Sequence, residues 1–237
     1  MRNKPKYKRV LLKISGEGLM QGTESLNLQN LEHIAQQIQS VYEMGVELCL
    51  VVGGGNFFRG ARNTLKDMDR VTGDYIGMMA TVMNALALAE TLERFHVPCQ
   101  IQTALAIEGV GEVYHRMRAL NHLKNGRVVL FAAGTGSPYF TTDTCAALRA
   151  SEMKCDALLK STQVDGVYDS DPRKNPKAVR YDEVSYQEVL DKKLGVMDLT
   201  AITLAAENKL PVIVFNQNVK GNLQNVLCGQ GTFSIIK

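Results

Sequence analysis

From Val46 to Val52 the chain is apolar at every position but Glu47, and it then stops on three consecutive glycines, Gly53, Gly54 and Gly55. A short, partly β-branched apolar run bounded by glycine reads as a buried strand. Glycine lets the backbone turn with φ > 0 and lets another group approach the main chain closely. Consecutive bare N–H groups form a concavity that suits an anion. Arg59 follows four residues later, and its planar fork of donors matches phosphate oxygens. The stretch therefore predicts a phosphate cradle at the carboxyl edge of a parallel sheet, where ligands bind in α/β folds. A tight turn followed by a surface arginine is the plainer alternative. Two cradles are excluded: no Gly-Lys dipeptide occurs, so there is no Walker A loop, and no Gly-x-Gly-x-x-Gly occurs, so a dinucleotide fingerprint is absent.

The 237 residues suit one α/β domain, predicted to span 1–237, and 45% apolar with 22% charged residues is ordinary for a globular chain. A formal charge of +3 is too small to imply a nucleic-acid partner. No apolar run approaches the ~18 residues of a membrane span. The basic N-terminus precedes an apolar run too short for a signal peptide, so a cytoplasmic protein without membrane attachment is expected. Five irregularly spaced cysteines and four scattered histidines indicate neither disulfides nor a structural zinc, and no metal ligands are assigned.

Taken in order, 8–14 reads as a first strand ending in a second glycine turn, Lys13-Ile14-Ser15-Gly16-Glu17-Gly18. Leu31, Ile34, Ala35, Ile38, Val41 and Tyr42 share one helical face, with Asn27 to cap it and Gly45 to end it. A second helix is predicted over 71–95, with Asp74 near its start. That acid has two readings, complementing the helix dipole or accepting from a ligand hydroxyl. Further strands are predicted over 97–102, 127–133, 156–161, 211–215 and 232–236, and further helices over 112–125, 144–152, 185–193, 198–208 and 222–227. The strand at 127–133 opens into Gly134-Thr135-Gly136-Ser137-Pro138-Tyr139-Phe140-Thr141-Thr142-Asp143, another glycine loop before a helix N-terminus, a favoured place for an anion. Asp165-Gly166 suggests a hairpin turn. The pattern predicts an α/β/α sandwich with a mostly parallel sheet.

The residue identities add a resemblance. Lys13 to Glu17, Gly53 to Arg59, Arg70 to Asp74, Gly134 to Asp143 and Lys160 to Pro172 stand in the order found in the amino-acid kinase family, and among its members they resemble the bacterial-type UMP kinases. The resemblance covers essentially the whole chain. It implies a three-layer α/β/α sandwich, a cytoplasmic homohexamer, and transfer of the ATP γ-phosphoryl group to UMP with Mg2+, in pyrimidine nucleotide biosynthesis, with UTP as an inhibitor. It also implies roles. Lys13, Arg59 and Asp143 would be catalytic. Lys13, Ile14, Ser15, Gly16, Gly55, Arg59, Thr162, Tyr168 and Asp171 would hold ATP. Gly54, Asp74, Thr135, Gly136, Ser137, Pro138, Tyr139, Phe140, Thr141 and Thr142 would hold UMP. Phenylalanine is common in the family where Tyr168 stands. The match departs at 22–27, where relatives carry a glycine-rich, GTP-responsive region.

Transfer between two anions asks for positioning and positive charge. Asp143 is expected to orient Lys13, together with Lys160, because an acid on the transferring phosphate would repel it. A helix-start role for Asp143 remains the alternative. Two other functions stay open: a kinase making an acyl phosphate on an amino acid or carbamate, and a nucleotide sensor without catalysis.

Overall fold

The structure is a computed structural model that describes residues 4–57 and 68–237; Arg59 and Gly60 lie outside the described residues. Strands β1 (Arg9–Ile14), β2 (Glu47–Val52), β3 (Cys99–Thr103), β4 (Glu112–Val113), β5 (Val128–Ala132), β6 (Ala157–Thr162), β9 (Glu183–Val184), β10 (Val212–Asn216) and β11 (Phe233–Ile236) form one sheet in the order β4-β3-β5-β2-β1-β6-β10-β11-β9. Every described pairing is parallel except β10 with β11. A separate antiparallel pair, β7 (Val167–Tyr168) with β8 (Arg180–Tyr181), stands beside it.

Helices cover both faces. On one lie α1 (Leu28–Tyr42), α2 (Arg70–Arg94) and α7 (Asn222–Leu227), packed on Val10, Leu12, Leu48, Leu50, Leu130 and Leu159. On the other lie α3 (Arg116–Lys124), α4 (Thr142–Glu152), α5 (Tyr186–Asp191) and α6 (Leu199–Glu207), packed on Leu11, Cys49, Val51, Val129 and Leu158. The division follows from the period of two in a strand: Val10, Leu12 and Ile14 face one way and Leu11 the other. Burial on both faces is why these strands read as unbroken apolar runs. The expected α/β/α sandwich with a mostly parallel sheet is the observed one.

Caps set the helix starts. Asn27, Asp69, Ser185 and Asp198 each accept a backbone N–H three residues on, and Thr141 accepts from Asp143 and Thr144. By length and composition alone α2 could cross a membrane, but half of that stretch is buried, and the helix packs on α1, β2, β3 and β5.

Two sequence expectations are corrected. The helix expected over 112–125 begins only at Arg116, because Glu112 and Val113 pair with Gln102 and Thr103 at the sheet edge. Asp165-Gly166 is not a hairpin turn: Tyr168 pairs with Arg180, with residues 169–179 of the chain between them, and Gly166 is instead pressed against Ser234 and Arg180. A dipeptide turn signal is local, and here the partner strand is supplied from a distance.

Candidate active site

Strand alternation puts two lysines side by side. Lys13 on β1 is the register partner of Lys160 on β6, and both share the face of Leu11 and Leu158, toward α4. Directly opposed like charges destabilise a sheet, and the residue that offsets them is Asp143 in the first turn of α4. Its Oδ2 accepts from Lys160 Nζ at 2.7 Å and its Oδ1 lies 3.2 Å from Lys13 Nζ. The Lys13 contact is an ion pair without hydrogen-bond alignment, so buried Oδ1 has no hydrogen-bond partner among the described residues. Burial pushes the Asp143 carboxyl up, but Lys13 and Lys160 outweigh it and hold it below its ordinary value. Burial dominates at Lys160 and lowers its pKa, with Asp143 opposing and Lys13 assisting. Lys160 also donates to Val196 O.

A cavity of about 770 Å³ opens beside this cluster, lined by Lys13, Ser15, Lys160, Thr162, Tyr168 and Asp171 among others. Its walls are the ends of β1, β6 and β10 with the segments 163–173 and 192–196. That is the carboxyl edge of a parallel sheet, and the volume falls in the range of small-molecule sites.

The loop leaving β5 leads directly into Asp143. Ala133, Gly134, Gly136 and Tyr139 all have positive φ (61°, 58°, 80° and 73°). For Ala133 and Tyr139 this is strained backbone that surrounding contacts must hold. Ala133 N donates to Thr81 Oγ1 on α2, and Tyr139 N donates to Asp74 Oδ2 at 2.7 Å. Arg70 reaches both oxygens of Asp74 at 3.0 Å, and its guanidinium lies 5.4 Å from the Tyr139 ring centre. Thr141 caps α4 and donates through its hydroxyl to Asp198, which also accepts from the Thr144 hydroxyl. Asp143, which follows directly on this loop, pairs with the two lysines that line the cavity.

The model of the Amino acid kinase family matches residues 8–216. The chain belongs to the amino acid kinase family. Two relatives are uridylate kinases. That of Roseobacter denitrificans is 51% identical over 233 residues, covering 98% of this chain and 96% of the relative. That of Hyphomonas neptunium is 52% identical over 235 residues, 99% of this chain and 94% of the relative. The crystal structure of UMP kinase from Bacillus anthracis superposes with a TM-score of 0.94 at 40% identity, covering 98% of this chain and 96% of that one.

In this chain the residues singled out from the sequence fall into two groups. Lys13, Ser15, Thr162, Tyr168 and Asp171 line the cavity. Ile14 turns its side chain into the core, so only its backbone is available. Gly16 packs on the glycine turn after β2: a Cβ there would come within 2.5 Å of Gly53 O. At Gly55 an added Cβ would meet, among the described residues, only Glu17 Cγ, at 4.0 Å. The Tyr168 hydroxyl donates to Asp165, which raises its pKa ahead of burial. Asp171 is pulled down by hydrogen bonds from Arg173, first from its backbone and then from its side chain.

The second group, Gly54, Asp74 and Thr135 to Thr142, gathers around the N-terminal halves of α2 and α4. Gly54 is tightly packed, since a Cβ would lie 2.8 Å from both Gly77 O and Ala80 Cβ. Thr135 Oγ1 donates to Ser137 O and accepts from Ser137 N, while Tyr139 and Phe140 are exposed at the loop tip. Asp74 is the fifth residue of α2, beyond the first turn where the dipole acts, and the acid at the helix start is the cap Asp69. Sequence reasoning missed Asp198, Arg70 and Asn84. Asp198 carried a signal as a cap before an apolar helix, but nothing in its neighbours reveals that it also meets Thr141.

Proposed function

We propose that the protein is a UMP kinase, transferring the γ-phosphoryl group of ATP to UMP to give ADP and UDP in pyrimidine nucleotide biosynthesis. The observation that carries this reading is the Lys13–Asp143–Lys160 cluster, whose lysines line a nucleotide-sized cavity and whose acid follows directly on the loop joined to Asp74. The identity to uridylate kinases over nearly the full chain supports the same substrates.

The acceptor phosphate is already a nucleophile, so no strong base is required. The work is positioning and neutralising charge. Lys13, held weakly by Asp143, supplies a cation to the transferring group, and the amides of Ser15, Gly16 and Gly55 supply fixed dipoles. Arg59 adds a second cation in this reading. Asp143 keeps both ammonium groups oriented toward the cavity rather than toward each other. Thr162, Tyr168 and Asp171 hold the adenosine end. Asp74, Gly54 and Thr135 to Thr142 hold UMP, with Asp74 accepting from ribose hydroxyls.

Among the described residues no group of three His, Cys, Asp or Glu could cage a metal. In this reading the magnesium ion is carried on the nucleotide phosphates, since magnesium keeps several waters and takes one or two carboxylates. Asp143 Oδ1, which has no hydrogen-bond partner among the described residues, would be the oxygen to meet its hydration shell. When bound, the ion neutralises charge on the ATP phosphates.

The continuous sheet supports one domain over 1–237. The exposed apolar stripe Tyr75, Ile76, Met79, Met83 and Leu86 on α2 supports a homo-oligomer, read here as a hexamer. In this reading UTP inhibits by competing for the acceptor pocket, and the enzyme works in the cytoplasm. The test is product analysis with ATP, magnesium and each nucleoside monophosphate. UDP should form from UMP with strong preference over CMP, AMP and dTMP. Equal turnover of CMP moves the protein to a broader nucleotide kinase. Phosphorylation of acetylglutamate, glutamate, aspartate or carbamate instead of UMP overturns the reading.

A further inference from the structure

Two asparagines that no part of this mechanism uses are locked together beneath the glycine turns. Asn84, on α2, has no exposed surface, and Asn56, the residue after Gly55, is 8% exposed. Their amides bond reciprocally: Asn56 Nδ2 donates to Asn84 Oδ1 at 2.9 Å, and Asn84 Nδ2 donates to Asn56 Oδ1 at 2.7 Å. Each has a second donor bond to a backbone carbonyl. Asn84 Nδ2 reaches Gly53 O at 2.6 Å, and Asn56 Nδ2 reaches Ser25 O at 2.7 Å. An amide pair buried this deeply is costly unless its donors are met, and here both Nδ2 groups are.

The pair also touches the first glycine turn. A Cβ on Gly16 would lie 2.6 Å from Asn56 Oδ1, 2.5 Å from Gly53 O and 2.9 Å from Gly55 N. Gly53 N in turn donates to Ile14 O at 2.9 Å. The turn after β1, the turn after β2 and helix α2 therefore meet at one point, and the asparagines are the polar contact among them. The same helix carries Asp74, three turns nearer its start.

We infer that Asn56 and Asn84 are positioning residues for phosphoryl transfer: they fix the spacing between the two phosphate-binding glycine turns and tie that spacing to α2. This rests on the phosphoryl-transfer reading of the site. Neither side chain touches substrate. Their effect passes through the Gly53 and Gly55 peptides and the backbone of Gly16. An isosteric acid at position 84 keeps the acceptor for Asn56 but, when ionised, cannot donate to Gly53 O.

The experiment compares wild type, Asn84→Ala, Asn84→Asp and Asn56→Asp, with Thr91→Val as a control. Thr91 is buried further along α2, and its hydroxyl bonds Ala87 O within the helix. Hydrogen exchange is followed without ligand on peptides covering 13–20 and 50–57, and kcat and KM are measured with ATP, magnesium and UMP. The asparagine variants should speed exchange at both glycine turns and lower kcat by up to about 10²-fold, the scale of misplacing reacting groups by about 1 Å. KM for UMP should change far less, and Thr91→Val should match wild type. Burial raises a carboxyl pKa, so Asn84→Asp should regain kcat relative to wild type from about pH 8 to about pH 6 as the acid becomes a donor. The ionisable group against Gly55, Glu17, is common to all variants and cancels in that ratio. Wild-type kcat in Asn84→Ala, or a flat pH ratio in Asn84→Asp, overturns the inference. If Asn84→Ala does not fold, Asn56→Asp decides on the same readouts. If wild type makes no UDP, the functional reading fails by itself. Exchange then decides for the pair: unchanged exchange at both turns overturns it, and faster exchange upholds its hold on the turns.

Discussion

Asp143 holds two largely buried ammonium groups, so its removal should be felt first as instability. Asp143→Asn leaves Lys13 and Lys160 facing each other without a counter-charge, and breaking a buried pair from one side costs about 3–5 kcal/mol. Denaturant unfolding should show that loss near neutral pH. The loss should also have a pH window. The folded carboxyl titrates below its ordinary 3.8, so its stabilisation is present above that value and disappears as pH falls through the folded pKa. The gap between wild type and Asp143→Asn should therefore narrow below about pH 4; a constant gap would mean the ion pairs contribute nothing. Asp74 calls for a different measurement. Its carboxylate already accepts from Arg70 and Tyr139 N. Asp74→Asn should weaken UMP binding by about 1.5–3 kcal/mol, the scale of a hydrogen bond to a charged group. Its melting temperature should barely move, because an exposed i,i+4 pair contributes only about 0.3–0.5 kcal/mol. Unchanged UMP affinity in that variant, with 2′-deoxy-UMP binding wild type as tightly as UMP, would remove Asp74 from ribose recognition.

At the scale of elements, α2 works as a ruler. Thr81 holds the exit of β5 through Ala133 N, Asn84 holds the exit of β2 through Gly53 O, and Gly77 with Ala80 lets Gly54 lie against the helix backbone. Gly54→Ala would press a methyl to within 2.8 Å of Gly77 O. Overpacking of this kind costs about 1–3 kcal/mol, and the turn should shift away from α2. The expected outcome is a lower melting temperature together with a lower kcat. A variant as stable and as active as wild type would show that the close approach is not required. The glycines were legible as turn residues, but the reason for Gly54 was not. A bare amide offered to a ligand and a helix pressed on the backbone ask for the same residue.

At the scale of the molecule, α2 turns its other face outward. Tyr75, Ile76, Met79, Met83 and Leu86 are each more than a third exposed and lie along one stripe. A contiguous apolar stripe of this kind marks a contact surface. Met83→Asp should lower the native mass measured by light scattering if a second copy covers the stripe, and an unchanged mass would place the assembly contact elsewhere. Since α2 also holds both glycine turns, the same variant should lower kcat if assembly steadies the helix.

The amino-acid order by itself determined the layers. Unbroken apolar runs such as 48–52 and 128–133 require burial on both faces, and the glycines at their ends mark the edge where a ligand binds. Even the parity of Lys13 with Leu11, and of Lys160 with Leu158, is written in the strands. What the order could not supply was register and distance. That Lys13 sits opposite Lys160 depends on β1 pairing with β6, nearly 150 residues apart in sequence. That Asp143 lies between them depends on α4 docking over both, and that Asn84 meets Asn56 depends on α2 docking on β2. Such contacts are formed by packing between distant segments, and only the tertiary structure decides which side chains it brings together.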